Sequence, residues 1–219
     1  MLQFLLLFCL PLLLGCASAH PQQVAQPDLA RLAGAGQLRV VNRAVTPLRE
    51  AGRRGLRFDS RPLNGLAWLP GVALREGSVE FDVRGKDVLQ RSFVGLAFHG
   101  LNDSTFEAVY FRPFNFRHAE AERRAHAVQY VAEPEFPWNR LRREFPGRYE
   151  VALTAPPAPT EWFHVRVLIG GAQVQVFVND EAVPSLQVAP LRTAAGAQLG
   201  LFVGDNSDGD FANLRIRAR

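Results

Sequence analysis

Beyond residue 38 apolar and polar positions alternate along the chain. In SVEFDVR, Val79, Phe81 and Val83 fall on one side of an extended backbone, and Glu80, Asp82 and Arg84 on the other. FHVRVLI sets Phe163, Val165, Val167 and Ile169 against His164, Arg166 and Leu168, and QVQVFVN groups Val174, Val176 and Val178. Near the C-terminus, ANLRIRA groups Ala212, Leu214 and Ile216. A period of two gives each strand one packed and one wet face, the mark of antiparallel sheets in a sandwich. Each buried apolar side chain is worth about 1.5–3 kcal/mol, and a one-residue slip would turn the whole set to water. Gly, Pro and Asn interrupt the runs, and no long helical periodicity or internal repeat occurs. The pattern predicts an all-β chain folded as a two-sheet antiparallel β-sandwich.

Two strands depart from this rule. SFVGLAFH and FEAVYFRPF are apolar on both faces. With Val94, Leu96, Phe98, Val109 and Phe111 in the core, the opposite face carries Gly95, Ala97, His99, Ala108, Tyr110 and Arg112. Small residues flanked by hydrogen-bonding ones leave either an open groove for a flat ligand or room for a covering loop. The groove is the expectation taken forward. HAEAERRAHA (118–127) reads as a helical turn or a long hairpin loop, and EPEFPWNRLRREFPGRYE, with its spaced prolines, as a long loop beside that face.

The N-terminal end has a different character. MLQFLLLFCLPLLLG is apolar, uncharged and too short to span a bilayer comfortably, so residues 1–19 read as a secretory signal. Leu13-Leu14-Gly15-Cys16 resembles a bacterial lipobox, which would lipidate Cys16 and anchor an outer-membrane or periplasmic lipoprotein. Ala17-Ser18-Ala19 fits ordinary signal cleavage, which would release a soluble secreted protein from His20. Residues 20–37 read as a tether with a short helical turn at Asp28 to Ala33, and residues 38–219 as the sandwich domain.

Composition narrows the chemistry. Cys9 and Cys16 are the only cysteines, so the folded domain has neither a disulfide framework nor a thiolate metal site. The formal charge of +4 is mild, Lys86 is the sole lysine, and the arginines are interleaved with acids. A nucleic-acid footprint needs basic residues clustered on one face, and nucleic acid is therefore set aside as a partner. No G-x-S-x-G elbow, phosphate loop, dinucleotide fingerprint or H-E-x-x-H motif is present.

The candidate binding set joins His99, Tyr110, Arg112, Asn115, Gln129 and Trp138. Sugars need donors and acceptors for their hydroxyls and an aromatic plane for their C–H face. Arg112, Asn115 and Gln129 supply the first, and Tyr110 or Trp138 the second. The structural alternative pairs Arg112 with Glu107 or Glu133 and uses Trp138 to plug the end of the sandwich. Glu107, His99 and Glu133, with Glu135 beside it, are the acid–base candidates should the chain hydrolyse anything. No cofactor is expected, although Asp205, Ser207, Asp208 and Asp210 in GDNSDGDF offer oxygen ligands of the kind Ca²⁺ takes. The same residues with Gly204 and Gly209 are what a tight turn requires.

The short strands with jelly-roll spacing, EFDVRG, WFHVRVLIGGAQVQVFVNDE and GLFVGDNSDGDFANLRIRA resemble the concanavalin A-like lectin/glucanase superfamily. The resemblance is to its laminin-G-like and 3-keto-disaccharide hydrolase-like bacterial branch and covers residues 38–219. It implies a jelly roll of two curved sheets that recognises carbohydrate on the concave one. Glucanase members carry catalytic acids in an E-x-D-x-x-E strand; Glu80-Phe81-Asp82 matches its first half, but Gly85 stands where the last acid belongs. That mechanism is excluded. The leading expectation is an exported sandwich that binds carbohydrate. The alternative is a glycoside hydrolase acting on a 3-keto or otherwise modified sugar, and the third reading is a structural envelope module.

Overall fold

Strict alternation becomes two stacked antiparallel sheets. The computed structural model describes residues 23–50, 52–192 and 196–219. The signal-like segment, with Cys16 and both cleavage readings, lies outside the described residues. The strands are β1 (Gln23–Ala25), β2 (Arg39–Val41), β3 (Val45–Glu50), β4 (Arg53–Phe58), β5 (Gly65–Ala73), β6 (Gly77–Arg84), β7 (Val94–Asn102) and β8 (Thr105–Phe111). They continue as β9 (Val128–Glu133), β10 (Glu150–Val151), β11 (Phe163–Gly170), β12 (Gln173–Val178), β13 (Leu186–Val188), β14 (Gln198–Val203) and β15 (Gly209–Ala218). Three short α-helices, α1 (Leu29–Gly34), α2 (Ala121–Arg124) and α3 (Trp138–Glu144), and a 3₁₀ turn at Pro113–Asn115 complete the described elements. None is long and apolar enough to cross a membrane.

One sheet has seven strands in the order β10-β9-β8-β7-β14-β5-β2. The other has eight: β13-β12-β11-β6-β15-β4-β3, with β1 added on β15. The two-sheet antiparallel sandwich expected from the alternation, and the jelly roll that the resemblance implies, is the fold. On the inner face of the eight-stranded sheet Phe58 and Phe81 each pack on Phe211, and between the sheets Phe111 of β8 meets Phe163 of β11 edge to face with centroids 5.2 Å apart. β6 and β11 alternate buried and half-buried residues along their whole length, as the sequence pattern requires.

Two details depart from the alternation. In β15 a register shift between Ala212 and Arg215, with Asn213 at φ 53°, breaks the expected Ala212, Leu214, Ile216 row. Ala212 lies opposite Asp82 on the outward row, and Phe211, opposite Val83, takes the core position. A bulge lets one strand reverse its facing midway.

The second departure is the tether. Residues 23–34 are part of the domain: β1 pairs with β15, and α1 buries Leu29, Ala30 and Leu32. Asp28 caps the helix by accepting from the Arg31 amide at 3.0 Å, which satisfies one of the donors a helix start leaves free. Leu29 and Leu32 are three residues apart and so share a helical face.

Candidate functional site

The outward face of the seven-stranded sheet carries the predicted small residues, but they do not form an open groove. Gly95 lies opposite both Tyr110 of β8 and Phe202 of β14, and Ala97 lies between Ala108 and Gly200. Aromatic side chains from neighbouring strands fill the space these residues leave. Tyr110 packs on Phe202, Phe202 on Phe106, and Phe106 edge-on to Trp68. Trp68 covers Gly200 and donates its Nε1–H to Asp103 at 2.9 Å, while Arg39 stacks over the ring. Neither an empty trough nor a covering loop describes the middle of the face; an aromatic layer does.

The open space lies at one end of that layer. A hollow of about 500 Å³ is bordered by Gln90, Phe93, Arg112, Phe114, Asn115, Arg123, His126, Trp138, Arg142 and Asp205. A smaller one of about 100 Å³ adjoins it, sharing Phe93, Trp138 and Asp205 and adding Asn64, Tyr110, Val131, Glu133 and Phe202. The predicted set thus divides. Arg112, Asn115 and Trp138 line the larger hollow, Tyr110 lines the smaller, and Gln129 and His99 line neither.

Each placement follows from local structure. Arg112 follows β8 directly, and its amide donates to the Ala127 carbonyl at 2.8 Å. Pro113–Asn115 form a 3₁₀ turn that brings Phe114 and Asn115 beneath the hollow. α3 begins at Trp138, after Pro137, and buried Leu141 anchors it. This leaves Trp138 46% exposed at the rim, with the Arg142 guanidinium 4.9 Å from its ring centroid. Trp138 therefore does not plug the sandwich end. Gln129 is fully buried beside Arg112, its amide donating to the Tyr130 and Tyr149 carbonyls.

Arg112 pairs with neither Glu107 nor Glu133. It donates to the His126 carbonyl at 2.8 Å, the Tyr110 hydroxyl at 3.0 Å and Gln129 Oε1 at 3.3 Å. The nearest carboxylate is Glu150, 3.8 Å away, which the sequence analysis did not single out. Glu150 in β10 lies opposite Gln129, so its side chain enters the same face. It is 4% exposed and accepts two hydrogen bonds from Arg142, at 2.8 and 2.7 Å. His126 Nδ1 comes within 2.9 Å of the same carboxylate without the alignment of a hydrogen bond. Burial lowers the pKa of His126 despite that acid, with the two guanidiniums acting in the same direction. The signal that could have found Glu150 is weak: one acid ending a loop, with no alternation around it.

The acid–base candidates separate in space. Glu107 points into the core rather than onto the outward face and is completely buried. Its carboxylate accepts from the Tyr130 hydroxyl at 2.9 Å and lies 3.3 Å from His99 Nδ1. His99 was expected outside beside Ala97. Its left-handed backbone, φ 50°, falls where the β7–β8 register shifts, and the ring meets Glu107 with Nε2 2.7 Å from the Arg75 carbonyl. Both residues are withdrawn from the candidate site, since a substrate on the outward face cannot reach them. Glu133 borders the smaller hollow, and burial raises its pKa. Glu135 is exposed and lies 3.8 Å from Arg192.

The aspartates proposed for calcium do not converge. Asp205 accepts from the Leu63 amide at 2.6 Å and from Asn206, Asp208 pairs with Lys86, and Asp210 binds Arg57 and Arg84. Among the described residues no group of three or more His, Cys, Asp or Glu side chains is arranged to hold a metal ion. Arg43 joins the neighbouring loops. Its guanidinium donates to the carbonyls of Asn42, Pro62, Leu63, Gly204 and Ser207, and burial lowers its pKa. On the other sheet, Glu80 and Asp82 are committed to Arg215, Arg217, His164 and Asn213, in keeping with the excluded glucanase mechanism.

No family model and no curated protein matches the sequence. Solved structures share the architecture. The carbohydrate binding module CBM66 from Bacillus subtilis aligns over 81% of this chain and 96% of its own, with 13% identity and a TM-score of 0.55. A Bacillus subtilis protein of unknown function with a galectin-like fold aligns over 89% and 96%, with 13% identity and a TM-score of 0.56. The exoplasmic/lumenal domain of VIP36, in its Ca²⁺/Man3GlcNAc-bound form, covers 84% of this chain and 83% of its own at 12% identity, with a TM-score of 0.54. At these identities the likeness is one of fold: the two-sheet jelly-roll sandwich.

Proposed function

We propose that the chain is an exported carbohydrate-binding sandwich, and that the sugar sits in the hollow under Trp138 rather than over the middle of the sheet. The observation that carries this reading is the pairing of an exposed aromatic plane with buried hydrogen-bonding groups. Trp138 is 46% exposed, and a buried Asn115 Oδ1 lacks any partner beside Arg112. A saccharide needs that combination: stacking for its C–H face and an acceptor for a hydroxyl. An unpartnered buried polar atom costs about 1–3 kcal/mol unless water or a ligand serves it. Solved structures of the same fold include a carbohydrate binding module and a mannose-glycan-bound domain, which agrees with this reading.

The test is an oligosaccharide panel followed by tryptophan fluorescence and calorimetry. Trp138→Ala should abolish binding while leaving the unfolding midpoint close to wild type, because the ring is half in water. Unchanged binding in that variant would remove the hollow from consideration. Export, through lipidation of Cys16 or cleavage after Ala19, is tested by the mass of the mature N-terminus.

A second reading, hydrolysis of a 3-keto or otherwise modified sugar, draws on Glu133. Its burial beside the hollow favours the protonated form, as a general acid requires. Product release that disappears in Glu133→Gln would favour the enzyme; binding without turnover would leave the module.

A further inference from the structure

The geometry points to a carboxylate-bearing saccharide, a uronic-acid sugar, as the ligand of the hollow, with Arg112, Arg142 and Arg123 facing its acid group. This rests on the carbohydrate reading and narrows it to a charge class.

The argument is one of unbalanced charge. Arg112 is 5% exposed and spends its hydrogen bonds on neutral acceptors: a carbonyl, a phenol and an amide. The one buried carboxylate nearby, Glu150, is taken bidentately by Arg142 and is 3.8 Å from Arg112. One negative charge therefore serves two guanidiniums, and His126 beside them is held toward its neutral form by burial. Buried charge is normally matched, because an unmatched one forfeits its hydration without Coulombic return. Here the balance stays positive on the side that opens to the hollow.

The rim adds to the imbalance. Arg123 enters the hollow from α2 with 38% of its side chain exposed, and pairs at the surface with Glu120 at 3.2 Å. Such pairs are weak and readily exchanged for a ligand. Asp205 is the single carboxylate among the residues bordering the larger hollow, and it is occupied by the Leu63 amide and Asn206. Planar guanidiniums suit planar carboxylates, since two parallel N–H groups meet two oxygens. Trp138, also on the rim, would take the sugar ring, and Asn115 a hydroxyl.

The test uses oligomers of galacturonate, glucuronate and mannuronate, each beside its carboxyl-reduced neutral counterpart, titrated into the full chain by calorimetry. At least one acidic oligomer should bind about tenfold or more tighter than its neutral counterpart, the worth of one charge-assisted contact. The preference should shrink as salt rises toward about 0.5 M. Arg123→Gln, at a half-buried rim position, should reduce it without moving the unfolding midpoint. Equal binding of acidic and neutral forms would overturn the charge assignment while leaving the carbohydrate reading standing. Neutral binding lost in Trp138→Ala, with every acidic oligomer refused, would do the same. Silence from both series would remove the carbohydrate reading and this inference with it.

Discussion

Tyr110 and Phe202 close over Gly95. The glycine lies opposite both residues, and their rings come within 5.5 Å at a tilt of 34°. The smallness of residue 95 thus serves packing rather than ligand access. A side chain there has nowhere to go: an added Cβ would overlap the Val109 carbonyl oxygen and lie 2.6 Å from Tyr110 Cα. Gly95→Ala should therefore destabilise the domain by about 1–3 kcal/mol, the usual cost of overpacking a filled interior. Urea denaturation measures it. A neutral substitution would mean that the aromatic layer is loose enough to open.

The buried His99 should make stability depend on pH. Its charged form is opposed by burial, but the hydrogen bonds to Glu107 and to the Arg75 carbonyl outweigh that, with Arg75's own charge opposing weakly, and its pKa is raised. A group whose folded pKa exceeds the unfolded value of about 6.5 contributes stability below that value and loses it as pH climbs through the folded one. Subtracting a His99→Gln variant from wild type cancels His126 and His164, which titrate elsewhere. The difference in unfolding free energy should be larger at about pH 6 than at about pH 9. A difference that stayed flat or grew with pH would mean that His99 stays neutral in the core.

Arg43 should be among the most costly residues to replace. Its five acceptors come from the β2–β3, β4–β5 and β14–β15 connections, so a single side chain ties three loops together. Lysine keeps the charge, but one nitrogen cannot meet carbonyls spread around a planar fork. Arg43→Lys and Arg43→Met should both lose more than about 3 kcal/mol, since several buried carbonyls are orphaned at once. Hydrogen exchange should quicken in all three loops together. Exchange confined to the Asn42 loop would show that the other contacts are incidental.

How much of this was legible depended on whether a residue obeyed the local period. Val79, Phe81, Val165 and Val176 announce their facing by alternation alone, and the sheets follow from them. Bulges defeat that reading, because one extra residue reverses every side chain beyond it. His99 and Ala212 were misplaced for this reason, each beside a register shift with a left-handed residue. The candidate site was legible by residue type alone. Arg112, Asn115 and Trp138 were singled out by type, but the long-range pairing that brings Glu150 under Arg112 leaves no mark on the local pattern. The helical turn expected at Asp28 to Ala33 is α1, but no local signal showed that Leu29 and Leu32 bury it against the sandwich.

Glu150 offers the sharpest test of the charged corner. It is 4% exposed and faces Arg142, Arg112 and His126. Glu150→Gln keeps the volume but leaves two guanidiniums without their shared counter-charge, one of them buried. Breaking a buried pair by removing one partner costs about 3–5 kcal/mol, much of it the stranded charge. Arg142→Gln should cost less, because Arg142 is 35% exposed and water can take over its role. The double variant should be more stable than the sum of the two losses predicts, since removing Arg142 relieves part of what Glu150→Gln strands; neighbours in one network couple by about 0.5–3 kcal/mol. Strict additivity, with the two single variants equally mild, would mean that Arg112 is satisfied by its neutral acceptors alone. The corner would then hold no surplus charge for a ligand to answer.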